Sequence, residues 1–252
     1  MTQALHAEWT KLRTLASTFW LLLGAAALTV AVSAAAAAAT KCPTGHCPED
    51  PAKISLTGIT LGQAVVAVVA VQAISNEYST GMIHVTFTAM PRRTTVLAAK
   101  AAVLTSVVLA AGTVAVFASV LAGQLILPGH GLTTLSLADG PMLRAAAGSI
   151  LYLALIALLG LGAAAAVRDS ATAIGIVLGL LYFFPIIVGA VTERHWQRHL
   201  QQIGPMNAGL AIQATTGLHK LPISPWAGLG VLAAWAAAAL LTGGLLLRFR
   251  DA

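Results

Sequence analysis

Six long apolar stretches dominate this sequence and restrict what it can fold into. Their approximate bounds are residues 17–39, 54–74, 96–122, 145–167, 170–192 and 226–247. Each is close to the roughly 20 residues that a helix needs to cross the hydrocarbon core of a bilayer. The stretches are apolar on every side, whereas the strands of a membrane barrel alternate apolar and polar residues. The sequence therefore predicts an all-α integral membrane protein with six spans in one domain, residues 1–252.

The composition excludes a water-soluble fold. Hydrophobic residues make up 58% of the chain and charged residues only 9%, against roughly 25% charged residues in an ordinary soluble domain. Too few polar side chains are present to cover a surface in water. The first apolar stretch is too long for the core of a cleaved signal peptide, so we predict that it is retained as a span.

The positive charges near the span ends indicate which side faces the cytoplasm. With six spans both termini lie on one side, and if that side is the cytoplasm, it holds eight of the 14 Lys and Arg residues. The positive-inside rule favours this orientation by a small margin. The sequence thus predicts a multi-pass protein of the cytoplasmic membrane with both termini inside. The net charge of +6 needs no nucleic acid partner, because basic residues at span ends meet anionic membrane lipid.

Both cysteines lie in the connection between the first and second spans. Cys42 and Cys47 bracket the turn-forming residues 43–46, which could bring the two thiols within bridging distance. An external disulfide is the preferred interpretation, and it agrees with the orientation above because disulfides persist outside the cytoplasm. The alternatives are free thiols and a metal site that uses Cys42, His46 and Cys47, although these ligands lack the paired spacing of structural zinc.

Residues 1–16 carry an amphipathic pattern ahead of the first span. Leu5, Trp9 and Leu12 are separated by four and three positions, so they share one face of a helix. We predict an elbow helix that lies on the membrane surface with Trp9 at the level of the lipid headgroups. The alternative is a plain basic flank that only orients the first span.

Residues 75–95 form the longest connection on the predicted cytoplasmic side. This segment is richer in polar and turn-forming residues than its neighbours, and Pro91 ends any helix within it. By contrast, only Arg168 and Asp169 separate the fourth and fifth spans, and Asp169 is placed to cap the fifth. The loop 75–95 is therefore the natural contact surface for a partner.

On the opposite side, residues 193–225 are too long for a simple hairpin connection, and we expect two short helices that dip toward the membrane. His195 and His199 share a helix face near Glu193, which resembles a metal pair. The sequence specifies no third strong ligand nearby, so a wet helix at the membrane surface is the preferred interpretation.

Sequence motifs argue against several catalytic functions. No glycine-rich phosphate loop precedes any of the five lysines, so the chain has no Walker A motif with which to hydrolyse ATP. No HExxH zinc motif occurs. We also expect no buried Asp, Glu, Lys or His within the six spans, which disfavours an ion-coupled pump. No catalytic residue, cofactor site or metal site is predicted in this chain.

The polar and bulky residues inside the spans suggest where a substrate would pass. Gln63 in the second span and Tyr182 and Phe183 in the fifth are the candidates for a weakly polar substrate path. Ordinary packing against lipid or other helices is the alternative for the two aromatic residues, which lie in a span that we expect to be kinked. The spacing of Gly175 and Gly179 in the same span would allow close helix packing.

Three segments of the chain resemble parts of one family of membrane proteins. They are residues 8–14, with the sequence EWTKLRT; a first loop carried by residues 77–81, Thr88, Pro91, Arg92, Arg93 and Lys100; and residues 205–208, with the sequence PMNA. The family is the type-2 permeases of ATP-binding-cassette (ABC) transporters, particularly the short actinobacterial forms. In that family the segments correspond to the elbow helix, the first cytoplasmic loop and a re-entrant outer segment before the last span.

The resemblance implies the permease subunit of an ATP-driven exporter whose motor is a separate protein. A coupling helix at about residues 80–89 would dock on an ATPase subunit, two copies of which would bind ATP and Mg, and a second permease subunit, identical or different, would complete the transport path. The cargo implied is a lipid, drug or other amphiphile moved outward. The residues assigned to ATPase coupling are Glu77, Gly81, Met82, Ile83, Val85, Phe87, Pro91, Arg92 and Arg93.

Within that loop we expect charged and apolar residues to act differently. Glu77 is expected to pair with Arg92, Arg93 or a basic residue of the elbow helix, while the apolar residues of the loop bind the ATPase. Two other functions remain open from the sequence. One is a membrane-integral enzyme, protease-like or lipid-modifying, that uses Glu193, His195 and His199; the other is a membrane sensor or assembly factor that transports nothing.

Overall fold

The computed structural model describes residues 9–10, 16–41, 49–79, 93–130, 132 and 136–249. These residues are helical or irregular and include no strand. The α-helices are α1 (Ala16–Ala39), α2 (Pro51–Ser55), α3 (Ile59–Ser79), α4 (Arg93–Ile126), α5 (Gly140–Val167), α6 (Ser170–Leu178), α7 (Phe184–Ala190), α8 (Arg194–Ile203), α9 (Pro205–Leu210) and α10 (Pro225–Phe249).

In the described part of the chain, six helical segments are long and apolar enough to cross a membrane, as the sequence predicts: α1, α3, α4, α5, α6 continued by α7, and α10. The predicted bounds of the second span are wrong at both ends. Residues 54 and 55 belong to the short helix α2, which Asp50 caps, and the span itself is α3, from Ile59 to Ser79. The third span is also longer than predicted, because α4 runs from Arg93 to Ile126.

Contacts between the helix ends define the two ends of the bundle. At one end, the last turn of α3 meets α4 through Glu77 and Lys100. At the other, Asp50 contacts the segment between α9 and α10 at Thr215 and Thr216. We refer to these as the Glu77 end and the Asp50 end. The predicted coupling loop leaves α3 at the Glu77 end, whereas α8 and α9 lie toward the Asp50 end.

The centre of the bundle is α5, which packs against α3 on one side and α10 on the other. Tyr152, Ile156 and Leu161 of α5 are fully buried. At Gly162 the backbones of α5 and α10 approach so closely that an added methyl group would lie 2.5 Å from the carbonyl carbon of Ala239. A glycine is therefore required at this crossing, because the neighbouring atoms belong to a backbone that cannot move aside.

The close packing that the spacing of Gly175 and Gly179 would allow does not occur in the described structure. A methyl group added to either glycine would meet no atom within 4 Å. The fifth span instead carries a local irregularity, a π-helical segment from Gly179 to Phe183 that joins α6 to α7. Pro185 follows it and lacks the N–H that an α-helix would direct back along the chain, so a wider turn is favoured there. The kink expected from the sequence thus takes the form of a π-bulge.

The connection between α5 and α6 is as tight as predicted. Arg168 ends α5 in the left-handed conformation, with φ of 64°. The Asp169 carboxylate accepts hydrogen bonds from the Thr172 amide at 2.8 Å and from its hydroxyl at 2.5 Å, which confirms the predicted cap. These hydrogen bonds lower the pKa of Asp169 below its usual value, because they stabilise the ionised carboxylate.

Candidate functional site

The last turn of α3 carries the candidate coupling site, at the base of the predicted coupling loop. The Glu77 carboxylate pairs with the Lys100 ammonium of α4 at 3.0 Å, and the two side chains are only 5% and 6% exposed. Buried Ile74 and Leu97 lie one turn away on the same two helices. A charge in such surroundings is tolerated only when it is paired, so each residue depends on the other.

This ion pair corrects one prediction about charge and adds a contact that the sequence did not predict. The expectation that the spans hold no buried acidic or basic residue is wrong, because Glu77 and Lys100 are buried in α3 and α4. Lys100 is a partner of Glu77 that we did not predict, whereas the predicted partners Arg92 and Arg93 have side chains outside the described residues, so that pairing remains a prediction. The sequence predicts that Lys100 lies near the coupling loop. It does not predict the contact with Glu77, because the two residues are 23 positions apart along the chain.

The next residue of α3 links the site to a third part of the bundle. The Arg168 guanidinium lies 5.6 Å from the centre of the Tyr78 ring, within the range of a cation–π contact. Because Arg168 ends α5 immediately before the Asp169 cap of α6, this contact joins α3 to the α5–α6 turn. Glu77 and Tyr78, which are consecutive in α3, therefore contact two different parts of the bundle: α4 and the α5–α6 turn.

Most of the other predicted coupling residues lie outside the described part of the chain. They are Gly81, Met82, Ile83, Val85, Phe87, Pro91 and Arg92; the backbone of Arg93 is described as the first residue of α4. The same holds for Leu5 and Leu12 of the predicted elbow helix, and for Cys42 and Cys47. Trp9 is described, and it is helical with half of its surface exposed. The elbow helix and the disulfide remain predictions.

Two of the three predicted substrate-path residues meet in a polar network inside the bundle. Gln63 of α3 is fully buried; its amide nitrogen donates to the Thr60 carbonyl at 3.1 Å, and its amide oxygen accepts a hydrogen bond from the Tyr152 hydroxyl. Tyr182 donates from its hydroxyl to the same Thr60 carbonyl. Phe183 is 68% exposed on the outer surface and does not take part. The network joins α3, α5 and the π-helical segment.

Tyr152, the central partner of this network, could not be identified from the sequence. A lone tyrosine in an apolar span is indistinguishable from a packing residue until a buried acceptor is found for its hydroxyl. Gln63 also donates to the Met206 sulfur of α9 at 3.4 Å. The network therefore reaches the segment 205–208 that resembles the outer segment of type-2 permeases.

At the Asp50 end, the chain between α9 and α10 is held by three separate contacts. Asp50 accepts hydrogen bonds from the Thr215 amide and hydroxyl, each at 2.5 Å, and from the Thr216 amide at 3.0 Å. Arg144 donates to the Ala214 carbonyl at 2.5 Å, and Gln213 donates to the Ser149 hydroxyl at 3.3 Å. Burial raises the pKa of Asp50, but the hydrogen bonds that its carboxylate accepts from Thr215, Thr216 and the Ala52 amide outweigh burial and lower the pKa overall.

The two histidines that resemble a metal pair in the sequence lie close together in the structure. The rings of His195 and His199 lie 4.5 Å apart, centre to centre, on α8. Among the described residues, no three His, Cys, Asp or Glu side chains are grouped closely enough to hold a metal ion.

The comparisons with known proteins address the function directly. A family model described as "ABC-2 family transporter protein" matches residues 4–186 of the 252. The chain belongs to the ABC-2 transporter family. It is accordingly a multi-pass membrane protein and a transport permease, and the buried Glu77–Lys100 pair lies within the matched region. A search of curated proteins found no match.

Proposed function

We propose that this ABC-2 permease is the membrane-spanning subunit of an ATP-driven exporter that moves an amphiphilic, drug-like or lipid substrate outward. A separate ABC ATPase, in two copies, binds ATP and Mg and supplies the energy, and a second permease subunit completes the path. The Glu77 end faces the cytoplasm, as the positive-inside rule favours. The observation that carries the proposal is the buried Glu77–Lys100 pair at the base of the loop between α3 and α4, inside the region that matches the family.

The position of this pair makes it suitable for transmitting movement. A partner that displaces residues 80–92 pulls on the end of α3 and the start of α4 together, because a buried ion pair in apolar surroundings resists separation. The Tyr78–Arg168 contact passes the same displacement to the α5–α6 turn. The substrate path is proposed to run past Gln63 and Tyr182, where the α3 network reaches α9.

The experiment tests docking on the ATPase separately from transmission. Phe87→Ala and Ile83→Asp should reduce co-purification of the ATPase, since apolar anchors in well-packed pockets dominate the affinity of most interfaces. Glu77→Gln should leave co-purification nearly unchanged but reduce transport and its coupling to ATP hydrolysis. Lys53→Gln, at an exposed site on the Asp50 end, is the matched control and should change neither quantity.

Three outcomes would contradict the proposal. Failure of any ATPase to co-purify with the wild-type chain would remove the exporter. If Phe87→Ala, Ile83→Asp and Glu77→Gln all left ATPase binding, ATP hydrolysis and transport unchanged, the ATPase would have to dock elsewhere. Equal loss of ATPase binding in Glu77→Gln and Phe87→Ala would mean that Glu77 contributes to docking and not to transmission.

A further inference from the structure

Helix α8 combines positive charge with exposed apolar surface. Its first six residues include Arg194, His195, Arg198 and His199, whereas its last four include Leu200 and Ile203. None of its residues is buried. Trp196 and Ile203 are 63% and 53% exposed. The helix therefore presents a basic first half and an apolar side that continues to its end.

Two contacts show that α8 runs back along the bundle from the end of α7. The Gly204 backbone lies against the Phe184 ring, since an added methyl group would be 2.6 Å from it. Phe184 precedes the end of α7 by six residues, or about 9 Å of helix. The Trp235 indole N–H donates to the Ile203 carbonyl at 2.9 Å, and Trp235 is about 15 Å along α10 from Pro225.

These contacts order the residues of α8 by depth. Arg194 and Arg198 lie nearest to the Asp50 end, and Ile203 lies nearest to the middle of the bundle. The order matches that of a membrane leaflet, in which charged headgroups lie outside the acyl chains. An exposed arginine is costly beside acyl chains, so the basic half must face water or an anion.

The arginines of α8 have no carboxylate partner in the described part of the chain. Among the described residues, the acidic and basic side chains that lie within 4 Å of each other are Glu77 and Lys100, at the opposite end of the bundle. A second copy of α8 is a poor partner, because it would place cations against cations. An amphiphile fits both features, with an anionic headgroup at the arginines and its tail along Trp196 and Ile203.

We propose that α8 binds the anionic headgroup of the amphiphile that the permease transports, through Arg194 and Arg198. This inference rests on the proposed exporter function and adds the charge class of its cargo. It concerns a segment beyond residues 4–186, which the family match does not reach. Charge-assisted hydrogen bonds from two guanidinium groups distinguish a phosphate or carboxylate head from a zwitterionic or cationic head on the same tail.

The binding experiment uses the full chain in detergent and tritiated dodecyl phosphate. Competition by dodecylphosphocholine and by dodecyltrimethylammonium should be weaker than competition by unlabelled dodecyl phosphate, and inorganic phosphate should compete little because it has no tail. The double variant Arg194→Gln/Arg198→Gln should bind about tenfold more weakly, from the loss of hydrogen bonds to a charged group. The control Lys53→Gln/Lys220→Gln removes the same charge from exposed sites at the same end.

Equal affinity of the two double variants would overturn the proposal and indicate a merely solvated or nonspecifically charged helix. Bound dodecyl phosphate should be released when ATP and Mg are added to the complex with the ATPase. Retention by a complex that hydrolyses ATP would identify a resident lipid and also overturn the proposal. Absence of a co-purifying ATPase would instead defeat the exporter function, while the binding comparison would still test the arginines.

Discussion

Glu77 and Lys100 are the two residues on which the coupling site depends. Each is nearly fully buried where α3 and α4 meet. The attraction between the charges offsets the cost of removing both from water only while both are present. Their contribution is therefore best measured as a coupling free energy between two substitutions, since each single change also deprives the remaining charge of this partner.

The first prediction concerns this coupling. Lys100→Met should lower the free energy of unfolding by about 3–5 kcal/mol, because it leaves the Glu77 carboxylate buried beside a methionine. The double variant Glu77→Gln/Lys100→Met should recover a large part of that loss. Thermal denaturation of the purified protein in detergent measures the effect. Additive losses in the double variant would show that the two residues do not stabilise each other.

Asp50 supports a pH-dependent prediction at the opposite end. Its hydrogen bonds to Thr215 and Thr216 lower its pKa from the usual 3.8, so the folded state binds the proton less readily than the unfolded state. The stability that the carboxylate contributes is present above pH 3.8 and is lost as the pH falls through the lower pKa of the folded state.

Asp50→Asn should therefore reduce the thermal midpoint at neutral pH, and its difference from wild type should shrink below pH 3.8. Asparagine can still accept the hydrogen bond from the Ala52 amide that caps α2, so the change isolates the contacts to residues 215 and 216. Midpoints measured from pH 7 downward test this. A difference that stays constant with pH would show that the carboxylate charge is not what holds the segment.

At the scale of elements, the crossing of α5 and α10 is set by glycine. Gly162 faces the Ala239 backbone, and Gly243 of α10 lies against the Ala165 side chain and the Gly162 carbonyl. Small residues let two membrane helices approach until their backbones touch, which increases dispersion contacts where apolar burial alone gives no advantage over lipid. Gly175 of α6 and Gly179 of the π-helical segment do not serve this purpose in the described structure.

Two alanine substitutions should separate these roles. Gly162→Ala should lower stability by about 1–3 kcal/mol, because the new methyl group meets backbone atoms that cannot rearrange. Gly175→Ala should be neutral or stabilising by about 0.5–1 kcal/mol, since it removes a flexible residue from a helix interior. Thermal midpoints of the two variants in one detergent provide the comparison. Equal effects would show that the α5–α10 crossing can rearrange.

The whole molecule is organised by its two ends. Exposed Phe19 and Trp20 of α1 lie toward the Glu77 end, and exposed Trp226 begins α10 at the Asp50 end. Aromatic residues at these positions match the belts found at both interfaces of a membrane. The bundle axis is thereby defined, and the charge pattern favours placing the Glu77 end inside.

The fourth prediction concerns this orientation. If the Asp50 end is external, Cys42 and Cys47 lie outside the cytoplasm, where a disulfide between them persists. Mass spectrometry under non-reducing, denaturing conditions should find the two cysteines linked. After reduction, a membrane-impermeant maleimide should label them from outside intact cells. Alkylation of both thiols without reduction would remove the bridge, and labelling only from the cytoplasmic side would reverse the orientation.

The number and type of spans were predictable from the sequence, because a run of about 20 apolar residues has few alternatives to a membrane helix. The cap at Asp169 was predictable for a similar reason, since it depends on residues within one helical turn. The predicted positions of the helix ends were less accurate. The start of α3 depends on the separate turn α2, and its extension to Ser79 depends on a partner for Glu77 from another helix.

The tertiary structure decided which distant residues meet. The sequence identifies Gln63 as an unusual polar residue within a span, but only folding places the Tyr152 hydroxyl beside it, 89 residues away along the chain. Folding also separates Phe183 from its neighbour Tyr182, because the helix directs one ring outward and the other inward. Hydrophobicity along the chain determines that this protein enters a membrane, whereas the crossing of its helices determines which polar groups face one another there.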